Sequence, residues 1–166
     1  MTEILNILII DDNPDDRENY LRSLKKMDRA GYNCVEAEHG SEGIEIIYAQ
    51  PIDCVLLDYS LPGMNGLDVL KKLRETHEFL PTILLTGQGN EVVAVEAIKH
   101  GAYDYLTKSS VTPERLHHAI KLAIAQDRIR KELGESTKQL SVSRERYDLV
   151  VKGYERWGMG LECTNQ

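Results

Sequence analysis

Long hydrophobic runs are missing from this chain. No stretch approaches the roughly 18 consecutive apolar residues of a membrane-spanning helix, and no basic segment followed by an apolar one stands at the start, so neither a membrane anchor nor a secretory leader is expected. Positive charge is also in deficit. Twenty Lys and Arg stand against 27 Asp and Glu, a formal net charge of −7, which argues against the basic footprint that direct nucleic-acid binding needs. Cysteine is scarce: Cys34, Cys54 and Cys163 lie far apart and form no C-x-x-C pair. Cys34 and Cys54 sit in apolar, strand-like runs and read as reduced core thiols of a cytosolic protein.

What is present suffices for a core. Of 166 residues, 42% are hydrophobic, enough for one domain of usual size and an appendage. The stretch Cys54-Val55-Leu56-Leu57-Asp58 is a short apolar run ending on a bare carboxylate, the signature of a strand buried on both faces. Pro62-Gly63 and Asn65-Gly66 then force a turn. In chain order the spacing predicts a strand over 4–10 ending on Asp11-Asp12. Asn13 caps a helix with Pro14 at its first position, Asp15 and Asp16 favour its dipole, and Tyr20, Leu21, Leu24 and Met27 form its inner face. A strand over 33–37 follows, then a helix capped by Ser41 with Ile44, Ile47 and Tyr48 inward. The third strand covers 52–57, and a helix over 66–76 carries Leu67, Leu70 and Leu73 on one face. A strand over 82–86 opens after Pro81, Gly87 and Gly89 lead loosely to a helix over 91–100 stopped by Gly101, and a strand over 103–106 ends near Lys108. Thr112-Pro113-Glu114 starts the last helix.

Strands alternating with helices five times specify an α/β protein: a doubly wound five-stranded parallel sheet in the flavodoxin-like order 2-1-3-4-5, here with a long C-terminal helical extension. That order brings the carboxyl ends of the strands to one crevice, with Asp11 and Asp12, Asp58, Thr86 and Lys108 at its rim. Crowded carboxylates repel and are costly to desolvate unless a cation binds, and a hard divalent ion suits oxygen ligands. Such an ion beside a carboxylate, with ammonium and hydroxyl donors, equips a site for phosphoryl transfer to an aspartate nucleophile.

The motifs Ile-Ile-Asp11-Asp12, Leu-Leu-Asp58 with Leu61-Pro62-Gly63-Met64-Asn65-Gly66, Leu-Leu-Thr86-Gly87 and Asp104-Tyr105-Leu106-Thr107-Lys108 together resemble a two-component response-regulator receiver domain of the CheY-like superfamily, from about Ile4 to about Ala125. The resemblance implies that Asp58 accepts a phosphoryl group from a histidine kinase or histidine phosphotransfer protein, with Thr86 and Lys108 assisting. It further implies that Asp12 binds Mg²⁺ (or Mn²⁺) directly, Asp11 largely through water, with Asp58 and the Ser60 carbonyl as further ligands, and that Thr86 and Tyr105 form a switch pair. The chain departs from the family in Ser109, where Pro usually follows the Lys and its absence leaves the loop less rigidly defined, in Gly87, where Ala is commoner, and in Tyr59, where an aliphatic is usual. Ser60 and Gln88 occupy positions that tune dephosphorylation.

The expected domains are a receiver over 1–125, a helical coiled-coil linker over 126–157 and a tail over 158–166. Ile129, Leu133, Ser136, Leu140, Ser143, Tyr147, Val150 and Tyr154 alternate at four and three residues, which suits either a dimerising coiled coil or a solvated charged helix. The receiver's fourth-to-fifth-helix face is a competing dimer site. Arg146 to Gly153 resembles the opening helix of a PAS domain, and the chain is expected to be cut from a longer protein. His117 and His118 are adjacent on a helix, share no face, and are expected to be solvated. Two rival functions are a haloacid-dehalogenase-like phosphatase, which needs a second Asp where Ser60 stands, and a pseudo-receiver that only binds partners, which normally lacks one of the acids or the lysine present here. The expected protein is a cytoplasmic signalling receiver rather than a conventional enzyme.

Overall fold

The computed structural model describes residues 3–27, 31–76, 80–87 and 91–156. Contacts divide the chain into two units, Met1–Asp127 and Arg128–Gln166. The first alternates strand and helix: β1 (Leu5–Ile10), α1 (Pro14–Lys26), β2 (Tyr32–Ala37), α2 (Gly40–Ala49), β3 (Cys54–Asp58), α3 (Gly66–Thr76), β4 (Thr82–Thr86), α4 (Glu91–Lys99), β5 (Asp104–Thr107), a 3₁₀ turn (Lys108–Ser110) and α5 (Pro113–Arg156). All strands pair in parallel in the order β2-β1-β3-β4-β5, as the sequence predicts.

Strand alternation divides the core in two. Ile7 and Ile9 of β1, Leu56 of β3 and Ile83 and Leu85 of β4 pack with Tyr20 and Leu24 of α1 and with Leu116 and Ile120 of α5. Leu8 and Ile10, Val55, Leu57 and Leu84 point to the other face, against Ile47 of α2, Val69, Leu70 and Leu73 of α3, and Val93 and Ala97 of α4. Each of β3 and β4 is buried along its whole length, so their hydrophobic runs show no period-2 alternation.

Local chemistry starts and stops the elements. The Asn13 side chain accepts from Asp15 N–H at 3.0 Å ahead of Pro14, and Thr112 Oγ1 accepts from Arg115 N–H at 3.2 Å ahead of Pro113. After α4, Gly101 turns the chain at φ 91°, a conformation that costs glycine little. Two expectations for α2 fail. Its N-cap is His39, without a side-chain cap bond; Glu42 instead reaches back to the Glu38 N–H at 2.9 Å and leaves Ser41 exposed on the first turn. Tyr48 is 59% exposed, because Gly40, Gly43 and Ile47 make the inner stripe. At Gly43 an added Cβ would meet the Ile10 side chain, so the helix backbone itself lies on the sheet there.

His118 is exposed, as expected, but His117 is half-buried and paired. Its Nδ1 lies 2.6 Å from Tyr32 Oη, and the two rings meet edge to face at 5.9 Å, joining α5 to the edge strand β2. Burial, then the charges of Lys121 and His118, lower its pKa, while burial lifts the Tyr32 phenol to about 12. The thiols are free; burial raises Cys34 to about 11 and Cys54 higher still. Cys163 lies outside the described residues, as do Gln88 and Gly89. α5 runs without a break through Gly134 and through 146–153.

Gly66 opens α3 where the backbone passes over the end of β3. An added Cβ would lie 2.6 Å from the Asp58 carbonyl oxygen and 2.9 Å from Tyr59 Cα, atoms of backbone that cannot step aside. Gly66→Ala should therefore lower unfolding free energy by about 1–3 kcal/mol in urea titration, whereas Gly87→Ala, where a Cβ meets nothing within 4 Å, should stay within about 0.5 kcal/mol of the parent.

Candidate functional site

Register assembles the site. Ile10 of β1 pairs with Leu57 of β3, Asp58 of β3 with Leu85 of β4, and Thr86 of β4 with Thr107 of β5. Asp11, Asp58, Thr86 and Lys108 thus lie at or one step past paired residues along a single sheet edge, where open α/β sheets place their ligands.

Asp11 is fully buried and held at every polar atom. Its N–H donates to the Ala37 carbonyl at 3.1 Å, its Oδ1 accepts from Asn13 N–H at 2.9 Å, its Oδ2 from Lys108 Nζ at 2.8 Å, and its carbonyl from Arg17 Nη1 at 2.8 Å. Arg17 is itself buried on α1 and turns its other nitrogens to β2's end, with Nη2 3.2 Å from Glu38 and Nε 3.8 Å from Glu36. Asp58 is 2% exposed; its Oδ1 accepts from Ser60 N–H at 3.3 Å, which turns the loop after β3. Asp12 is exposed, yet it offers a carboxylate oxygen in a group with Asp11 and Asp58 whose ligand atoms all lie within 4.8 Å of one another. Thr86 is buried at the end of β4, and Tyr105 packs half-buried against the α2–α3–α4 side of the core.

Lys108 Nζ meets three carboxylates: Asp16 at 2.7 Å, Asp11 at 2.8 Å and Asp58 at 3.3 Å. Burial alone would lower the ammonium pKa, but hydrogen bonds to Asp11 and Asp16 outweigh it and raise the value. Burial, then the charge of Asp11, raises Asp58, against the smaller opposing pull of Lys108 and the Ser60 N–H. Asp11, Asp12, Asp16 and Asp58 outnumber the single Lys108 ammonium, and their oxygen donors fit a hard divalent cation. Tyr20 lies beneath: burial, opposed by the charge of Lys108 and aided by Asp11, Asp16 and Asp58, raises its phenol pKa, and its buried hydroxyl has no hydrogen-bond partner among the described residues. Beyond Lys108 the loop lacks proline, but Thr107 Oγ1 and Ser110 Oγ lie 2.8 Å apart and Ser110 Oγ donates to the Thr107 carbonyl at 2.9 Å, so hydroxyls close the turn.

All the site residues expected from sequence except Tyr105, which packs against the core, gather at this edge. Sequence reasoning missed Asp16 and Arg17. Asp16 was legible only as a helix-dipole partner, and nothing in its spacing points to a lysine 92 positions away. Arg17 carried one signal: a cation at a position whose helical neighbours Tyr20 and Leu24 face the core.

Residues 7–121 match the family model of the response regulator receiver domain. The transcriptional regulatory protein SrrA of Staphylococcus aureus is 41% identical over 104 residues, 61% of this chain and 41% of that protein, so the chain spans about two fifths of the length of the curated relatives it matches. Among solved structures, a response regulator receiver domain protein from Clostridium thermocellum is 31% identical with a TM-score of 0.68, over 75% of this chain and 98% of that one. A CheY-like receiver domain protein from Methanospirillum hungatei is 26% identical with a TM-score of 0.69, over 77% and 99%.

The raised Asp58 pKa has a signed consequence for stability. The native state holds this proton more tightly than the unfolded chain does, so the penalty of the buried charge is absent below the ordinary carboxylate value of 3.8 and fully present once pH exceeds the raised native value. In EDTA at pH 7, Asp58→Asn should be more stable than the parent by about 1 kcal/mol. The gap should narrow as pH falls toward 3.8, and near-neutral Mg²⁺ should also narrow it; urea unfolding at several pH values checks this.

Proposed function

The chain belongs to the response regulator receiver domain family, and on that premise we propose that it receives a phosphoryl group on Asp58 from a histidine kinase or histidine phosphotransfer protein and relays the change to an output module. The observation that carries this reading is the Asp58 carboxylate at the end of β3, within reach of Lys108 and grouped with Asp11 and Asp12. An Asp58 oxygen attacks phosphorus, the bond to the donor imidazole breaks, and the electron pair leaves with that nitrogen. Lys108 and the Thr86 hydroxyl stabilise the oxygens of the transferred group. Asp11, Asp12, Asp58 and the Ser60 carbonyl are the residues to hold Mg²⁺, with Mn²⁺ as a substitute. When bound, the ion supplies the positive charge that lets an anionic phosphoryl group approach a carboxylate. Thr86 and Tyr105 act as the switch: the hydroxyl turns toward phosphate, and the ring then packs deeper. The chain thereby promotes its own modification and is a signalling receiver rather than a conventional enzyme.

The output is supported by two features. The matched relatives are longer, and SrrA is a transcriptional regulatory protein. Arg146–Gly153, similar to a PAS opening helix, lies within α5. In the unit Arg128–Gln166, Ile129, Leu133 and Leu140 are exposed at d, a and a positions of the heptad seam, with Ser136 between them. We propose that this seam pairs two copies in parallel. Arg130 and Arg144 fall at e positions, and an antiparallel pair would set e against e and bring these charges together. Ser136, and Gly134 at about 1 kcal/mol relative to Ala, keep the pairing modest.

Incubated with Mg²⁺ and acetyl phosphate, the protein should gain one phosphoryl group by intact mass, with acetate leaving, and Asp58→Asn should gain none. Phosphorylation of that variant at the parental rate would overturn the assignment. In sedimentation velocity, Leu133→Asp with Leu140→Asp should shift dimer to monomer at micromolar concentration, since charges would face each other across the seam. A variant still dimeric would move the interface to the receiver face, where Val92, Val95 and Ile98 of α4 are exposed.

A further inference from the structure

Lys108 carries three N–H donors; two are hydrogen-bonded to Asp16 and Asp11, and the ammonium forms a longer ion pair with Asp58. The shortest contact, 2.7 Å, belongs to Asp16, and the longest, 3.3 Å, to Asp58. Asp11 is buried and fixed from both sides. Asp16 differs: it stands on the first turn of α1 with its side chain 31% exposed. The usual task of an acid there, opposing the helix dipole, is met by its exposed neighbour Asp15 and by the Asn13 cap. Asp16 turns instead across the crevice to β5's end.

We propose that Asp16 is a counter-charge built into the site, which competes with the phosphoryl group on Asp58 for the Lys108 ammonium and so limits how fully Asp58 is phosphorylated. The inference rests on the phosphoacceptor reading of Asp58. Asp16 is outside the group of Asp11, Asp12 and Asp58 and bonds Lys108; it acts through Lys108 and is a positioning residue. Its charge has opposite effects on the two visitors. An added negative charge a few ångströms from the site favours a cation and disfavours an anion. A residue that merely propped the loop would, when removed, weaken both.

The test uses the full chain with two probes: Mg²⁺ alone, and beryllofluoride at saturating Mg²⁺ as a non-covalent stand-in for the phosphoryl group, each followed by calorimetry. Asp16→Asn should tighten beryllofluoride by roughly three- to tenfold and weaken Mg²⁺. Asp16→Glu should restore both values toward the parent, and Asp15→Asn should move neither. Loss of affinity for both probes in Asp16→Asn, or no change in either, overturns the inference while leaving the phosphoacceptor reading intact. A parent protein that binds no beryllofluoride overturns both.

Discussion

The ammonium of Lys108 joins three parts of the sheet edge and the first turn of α1 at one point, through Asp11, Asp58 and Asp16. Such a cluster contributes little net stability, because removing several charges from water costs about as much as their attraction returns. It persists because the rest of the domain fixes it there. Two apolar layers hold β1, β3 and β4 in register, and register alone decides that the residues following each strand converge. Arg17 adds a polar clamp of its own, tying the Asp11 carbonyl to the acids at the end of β2. The core thus maintains a concentration of negative charge that would disperse in a flexible loop, and that charge is what a divalent cation and a phosphoryl donor would meet.

The fold and most of this edge were readable from sequence because both follow from short-range patterns. Buried strands announce themselves as runs such as Val55-Leu56-Leu57, and once their order is set, Asp11, Asp58, Thr86 and Lys108 have nowhere else to go. What escaped depends on distances that no local pattern encodes. Asp16 and Lys108 meet across the crevice, and Tyr32 and His117 meet across 85 residues of chain. The α2 errors have a different cause. The average roles of a serine near a helix start and of an apolar-looking tyrosine do not hold, because Gly43 lets the helix backbone lie on Ile10 of the sheet and Gly40 lets it approach Val69 of α3, so the inner stripe shifts toward the glycines and Tyr48 turns outward.

The loop after β5 shows how one requirement is met by different chemistry. Lys108 must be presented at a fixed height above the strand end. Here a 3₁₀ turn closed by the Thr107 and Ser110 hydroxyls does so, where a proline ring would restrict the backbone covalently. Hydroxyl bonds can exchange with water, so this loop ties the position of the lysine to the local hydration of its own turn.

One ammonium meeting three carboxylates also bears on which side chains the position can accept in the course of divergence. An ammonium distributes its N–H bonds over a tetrahedron and can address acids on β1, α1 and β3 at once. A guanidinium confines its donors to a plane and prefers one carboxylate in a two-pronged grip. Arginine at 108 would keep the charge and lose the convergence, pairing with one acid and leaving the others to repel. Among cationic residues the position is therefore closed by geometry, and a lineage that exchanged Lys108 for arginine would have to lose or move one of its carboxylates to remain stable.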